Sequence, residues 1–120
     1  MKILIAEHSS SVRKKLAQII TFSFPAEVVE AEDGHMALNK FNDCGPFELI
    51  ISNSSMPKMN GFQLLKFIKH INESMPFIML SADDDHQDQM VALHDGADNF
   101  LANPFTTSQL VEKINLALHY

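Results

Sequence analysis

The chain has 120 residues, of which 46% are apolar and 20% charged, with a formal net charge of −6 and one cysteine. This is the mix of a single folded domain, residues 1–120, rather than of a disordered segment. Its acidity argues against direct binding to nucleic-acid phosphates, and no apolar run approaches the roughly 20 residues of a membrane span.

The first run, "ILIA" at 3–6, reads as a buried strand, and it is too short for the core of a signal peptide. It ends at Glu7 and His8. Ser9 or Ser10 is placed to cap a helix whose apolar face is Val12, Leu16, Ile19 and Ile20. "AEVVEA" at 26–31 is a second strand, followed by a turn at Asp33-Gly34 and a shorter helix marked by Ala37, Leu38 and Phe41. Cys44 precedes Gly-Pro in a loop. As a lone cysteine it cannot form an intramolecular disulfide, which fits a cytoplasmic protein, and it is assigned no role.

"ELIIS" at 48–52 is a third strand running into Asn53, Ser54 and Ser55. Met-Pro and Asn-Gly follow as turn signals, then a helix with Leu64, Leu65, Ile68 and Ile71 on one face. "FIMLS" at 77–81 is a fourth strand. Asp83, Asp84 and Asp85 come next, and Met90, Val91 and Leu93 mark a fourth helix closed by Gly96 at its C′ position. Met75, Met79 and Met90 read as core or loop filler. "NFLA" at 99–102 is a fifth strand, ending at Asn103-Pro104. Thr106 or Thr107 then caps a last helix carrying Leu110, Ile114, Ala117 and Leu118.

Strands alternate with helices five times. That order predicts an α/β, doubly wound (βα)5 fold with a parallel sheet, right-handed crossovers and helices on both faces. Ligands of such sheets bind beyond the carboxyl ends of the strands. The residues there are Glu7 and His8; Asn53, Ser54 and Ser55; Ser81 and Ala82; and Asn103 and Pro104.

Over nearly its whole length the chain resembles the receiver (CheY-like) domains of two-component response regulators. The resemblance rests on "KILIAEHSSSVRKKL", "EVVEAEDGHMAL", "LIISNSSMPKMNGFQLL", "PFIMLSADDD" and "ALHDGADNFLANPF", taken as a set. It implies a flavodoxin-like five-stranded sheet in the order 2-1-3-4-5. It also implies that the phospho-acceptor Asp, at the end of the third strand, is here Asn53. The pair of acids that helps hold Mg²⁺ is here Glu7 and His8, beside Ser55. The Lys that contacts the phosphoryl group is here Asn103. Ser81 keeps the hydroxyl of the fourth strand, and Phe100 stands at the aromatic switch position of the fifth.

These substitutions share a direction. An amide is not a nucleophile at neutral pH, so Asn53 cannot form an acyl phosphate. Mg²⁺ prefers carboxylate and other hard oxygen ligands, and imidazole suits transition metals better. Loss of the Lys removes a charge that would stabilise transferred phosphate. The expectation is a signalling receiver without a catalytic role or resident metal, with Mg²⁺ binding weak or absent. Its pocket is expected to be stable without metal, with Asn53 and Asn103 hydrogen-bonded to each other. It would act by protein–protein binding to a histidine kinase, an effector domain or another receiver, a homodimer included. The surface implied by the resemblance is that of the fourth helix, fifth strand and fifth helix.

Two alternatives remain at this point: a receiver phosphorylated on Ser52, Ser54, Ser55 or His8, and a flavodoxin-like phosphate or nucleotide binder. Against special roles stand plainer ones. His8 is otherwise a partly exposed loop histidine, the serines bond backbone groups at a turn or strand end, and Asp83 to Asp85 form a solvated acidic loop rather than a metal loop. Asn53-Ser54 is also a dipeptide prone to deamidation.

Overall fold

The computed structural model describes residues 1–82 and 86–118. Five strands, β1 (Lys2–Ala6), β2 (Glu27–Ala31), β3 (Leu49–Asn53), β4 (Phe77–Ser81) and β5 (Asn99–Ala102), alternate with five helices. The helices are α1 (Ser10–Ser23), α2 (Gly34–Cys44), α3 (Gly61–Ile71), α4 (His86–His94) and α5 (Thr107–Ala117). All strands pair in parallel, in the order β2-β1-β3-β4-β5. The expected fold and strand order are therefore found. No helix of the described residues is long and apolar enough to cross a membrane.

β3 and β4 are buried along their whole length and β1 from its second residue on, whereas the edge strand β2 is exposed at Glu27 and Glu30. Continuous apolar runs are what strands covered on both faces require. Leu4, Ala6, Ile50, Phe77, Met79 and Phe100 pack with α2, α3 and α4. Ile3, Ile5, Leu49, Ile51, Ile78, Leu80 and Leu101 pack with α1 and α5. Met75 and Met79 are core residues, as expected.

The helix ends carry their own signals. Ser9 caps α1, accepting from Val12 N–H, and Asp33, expected only in a turn, caps α2, accepting from Met36 N–H at 2.7 Å. Asn60-Gly61 is not a free turn: Asn60 and Gln63 form a reciprocal capping box at the start of α3, as Thr106 and Gln109 do at α5. At the end of α4, Ala97 N–H donates to Ala92 O and Gly96 N–H to Leu93 O, a Schellman closure. Gly96 lies at φ +111°, where a side chain is strained although the nearest neighbour is the flexible Lys69. Gly96→Ala is expected to lower stability by about 1–2 kcal/mol in urea unfolding, and an unchanged stability would contradict it.

α4 is found where expected, closed by Gly96, but its packing is unusual. Met90, Val91 and Leu93 are 70%, 42% and 44% exposed, and its one buried residue is Ala92. The apolar residues of this helix thus face outward, and Met90 is not core filler. Ile71, expected on the buried stripe of α3, is also exposed. It occupies the last position of its helix.

Candidate functional site

The strand registers bring the expected residues to one end of the sheet. Ala6 pairs with Ser52, Asn53 with Leu80, and Ser81 with Ala102. Glu7, Asn53, Ser81 and Asn103 therefore gather at the carboxyl edge, where β1 lies between β2 and β3 and the chain order reverses.

Glu7 is 3% exposed, a buried carboxylate that must be hydrogen-bonded to be tolerated. One oxygen, Oε1, accepts from Asn53 Nδ2 at 2.8 Å, and the other, Oε2, accepts from Ser9 N–H at 3.1 Å. Asn53, 9% exposed, uses its own Oδ1 to accept from Ser55 N–H at 3.0 Å. This is a local Asx turn that leads the chain out of β3. Each end of the amide is thus engaged.

The expected Asn53–Asn103 pair is not formed, because Asn53 donates to a carboxylate instead. A bond to a charged acceptor is about twice as strong as one between neutral amides. Asn103 is placed by its backbone, whose N–H donates to Ser81 O at 2.6 Å, and its peptide bond to Pro104 is cis. Ser81 is buried at the end of β4, and Phe100 is buried in the cluster with Met79, Ala92 and Ala97.

The substitute residues separate by accessibility. Ser52 is fully buried and its Oγ donates to Asn53 O. Ser54 is buried, with its N–H donating to Leu80 O at 2.7 Å and its carbonyl accepting from Gly61 N–H at 3.0 Å. Ser55 and His8 are exposed. The Ser54 bond also bears on deamidation, which requires that same N–H nitrogen to attack the Asn53 side chain. Held in the sheet ladder, it is not free to do so in the folded protein. Asp83 to Asp85 lie outside the described residues. Among the described residues, no three His, Cys, Asp or Glu side chains converge in a group that could hold a metal ion.

Several supporting residues were not singled out by the sequence. Arg13 Nη1 donates to Glu7 O at 2.8 Å and to His8 O at 3.4 Å, while its Nε pairs with Glu30 at 3.1 Å. It fixes the backbone from which Glu7 projects. Lys58, at φ 67°, approaches buried Asp33 at 4.0 Å. Gly61 lets α3 start against the strand end: a Cβ there would lie 2.2 Å from Asn53 O and 2.9 Å from Met79 Sδ. The Asn60-x-x-Gln63 spacing was the sequence signal for this helix start. Arg13 left none, since its contacts depend on the fold.

Known proteins share this frame. The response regulator receiver domain family matches residues 3–115. Chemotaxis protein CheY1 of Helicobacter pylori is 30% identical over 120 residues, covering 98% of this chain and 97% of that protein. A chemotaxis CheY homologue of Campylobacter jejuni is 31% identical over 116 residues, covering 95% of this chain and 89% of the relative. The solved structure of the chemotaxis response regulator CheY4 of Vibrio cholerae superposes with a TM-score of 0.89 at 28% identity, covering 98% of each chain. With the five-stranded sheet and the residues gathered at its carboxyl edge, this match makes the chain a member of the response regulator receiver domain family, the CheY-like receivers of two-component signalling.

Proposed function

We propose that this receiver is not phosphorylated at the usual position and works as a protein-binding module with one fixed site conformation. The observation that carries the reading is the Asn53–Glu7 hydrogen bond. The acceptor position holds a buried amide whose Nδ2 and Oδ1 are both bonded, at 2.8 and 3.0 Å. A neutral amide in that state offers neither a nucleophile nor a charge.

The residues fit Mg²⁺ poorly. Glu7 is the carboxylate beside Asn53, and each of its oxygens already accepts a hydrogen bond. His8 adds an imidazole, a soft partner for a hard cation. No step of the proposed function passes through a metal, and the domain has no catalytic role. Partner binding through α4, β5 and α5 draws support from the outward-facing Met90, Val91 and Leu93 and from exposed Leu116. Exposed apolar patches mark interaction surfaces. Histidine kinases, effector domains and other receivers are the partner classes in view.

A second reading, transfer to a substitute residue, is favoured by exposure only for Ser55 and His8. Intact mass after incubation with Mg²⁺ and a small-molecule phosphodonor separates the two. No adduct on folded protein is expected. An adduct of about 80 Da, one phosphoryl group, that maps to Ser55 or His8 would replace the first reading by the second.

A further inference from the structure

α3 carries a second surface, distinct in charge from that of α4. The chain as a whole bears −6. Within Gly61–Ile71, however, the sequence "GFQLLKFIKHI" holds Lys66, Lys69 and His70 and no acid. The inner stripe of this helix, Leu64, Leu65 and Ile68, is fully buried. The outer stripe is also apolar: Phe67 is 49% and Ile71 53% exposed, one turn apart. Gln63, Lys66, Phe67 and His70 line a shallow depression of about 340 Å³.

Local charges sharpen the choice of occupant. Lys69 is turned inward, donating to Met75 O at 2.6 Å and lying 3.6 Å from Asp98. Lys66 points out, its side chain 68% exposed and only 4.0 Å from Asp95, a long pair that leaves it available. The apolar residues of α4 sit instead on a helix with Asp88 in its first turn. Of the two helices only α3 carries lysines, so an acidic apolar segment is better matched to α3.

We infer that the outer face of α3 is a docking surface for an acidic amphipathic helix of a partner protein. Phe67 and Ile71 take its apolar side chains, and Lys66 and His70 its carboxylates. Apolar residues one turn apart on an exposed helix face are what a second amphipathic helix packs against. One helix face supplies a small interface, so binding is weak and transient. The surface is fixed to the candidate site, since α3 begins where Gly61 N–H donates to Ser54 O. Docking on α3 does not depend on whether the domain accepts phosphate, so it can hold whether or not the reading above does.

The test uses a designed helical peptide with Leu on one face and Glu on the other, and an analogue with Lys replacing every Glu. Backbone amide NMR shifts of the whole chain are followed during titration. Saturable shifts centred on Lys66, Phe67, His70 and Ile71 are expected with the acidic peptide, with affinity about tenfold or more above the basic one. Lys66→Glu and Phe67→Ser are each expected to weaken binding about tenfold, without changing the thermal midpoint much, because both side chains are exposed. Shifts centred on Met90, Val91 and Leu93, equal affinity for the two peptides, absence of saturable shifts, or concentration-dependent self-association through α3 would each overturn the inference.

Discussion

Asn53→Asp is expected to destabilise the domain by about 2–4 kcal/mol at neutral pH, although it restores the acid usual in this family. The substitution exchanges a donor for a second carboxylate oxygen at the position 2.8 Å from Glu7 Oε1. A bond to a charged acceptor worth roughly 1.5–3 kcal/mol disappears. Like-charge repulsion adds to that loss, less what the two side chains relieve by relaxing apart. Urea unfolding in EDTA measures the loss. Millimolar Mg²⁺ is expected to recover part of it in the variant and to leave the parent protein unchanged, since only a cation that binds the folded state stabilises it. Combining Asn53→Asp with Glu7→Gln reverses donor and acceptor across the same contact. The double variant should regain most of the stability, a coupling read directly from the four-protein cycle. A variant as stable as the parent in EDTA would mean that the Asn53–Glu7 contact does not hold this site together.

Gly61→Ala is the second large effect. The new methyl group would sit 2.2 Å from a backbone oxygen and 2.9 Å from a buried sulfur, and backbone cannot yield as a flexible side chain does. Overpacking of this kind costs about 1–3 kcal/mol and occasionally more, and a value near 3 kcal/mol is expected here. Because the obstructing atom is Asn53 O, the strain should also appear as amide shift changes at Asn53, Ser54 and Ser55. Loss of stability without such shifts would place the strain elsewhere in α3.

The fold was legible because its strands declare themselves. "ELIIS" and "FIMLS" are apolar without alternation, and only a sheet covered on both faces buries such runs. Helix periodicity found α1, α3 and α5 for the same reason. It also found α4, but there three apolar residues announce a helix without pointing inward, because Ala92 alone meets the core. The edge residues of the site were also legible, since each ends a strand. Their pairing was not. Glu7 and Asn53 are 46 positions apart, and whether Asn53 turns toward Glu7 or Asn103 is decided by charge and strand register together. Arg13 was invisible for a related reason: two of its contacts are to backbone carbonyls, which carry no residue identity, and the third, Glu30, lies 17 positions away.

The most direct measurement is the backbone amide NMR spectrum of the folded protein, recorded alone, with Mg²⁺, and with Mg²⁺ plus a small-molecule phosphodonor. A fixed, non-accepting site predicts three superimposable spectra with one resonance for each of Glu7, Asn53, Ser55 and Phe100. Shifts or doubling at those residues on adding metal or donor would contradict it, and would return the domain to the switching receivers.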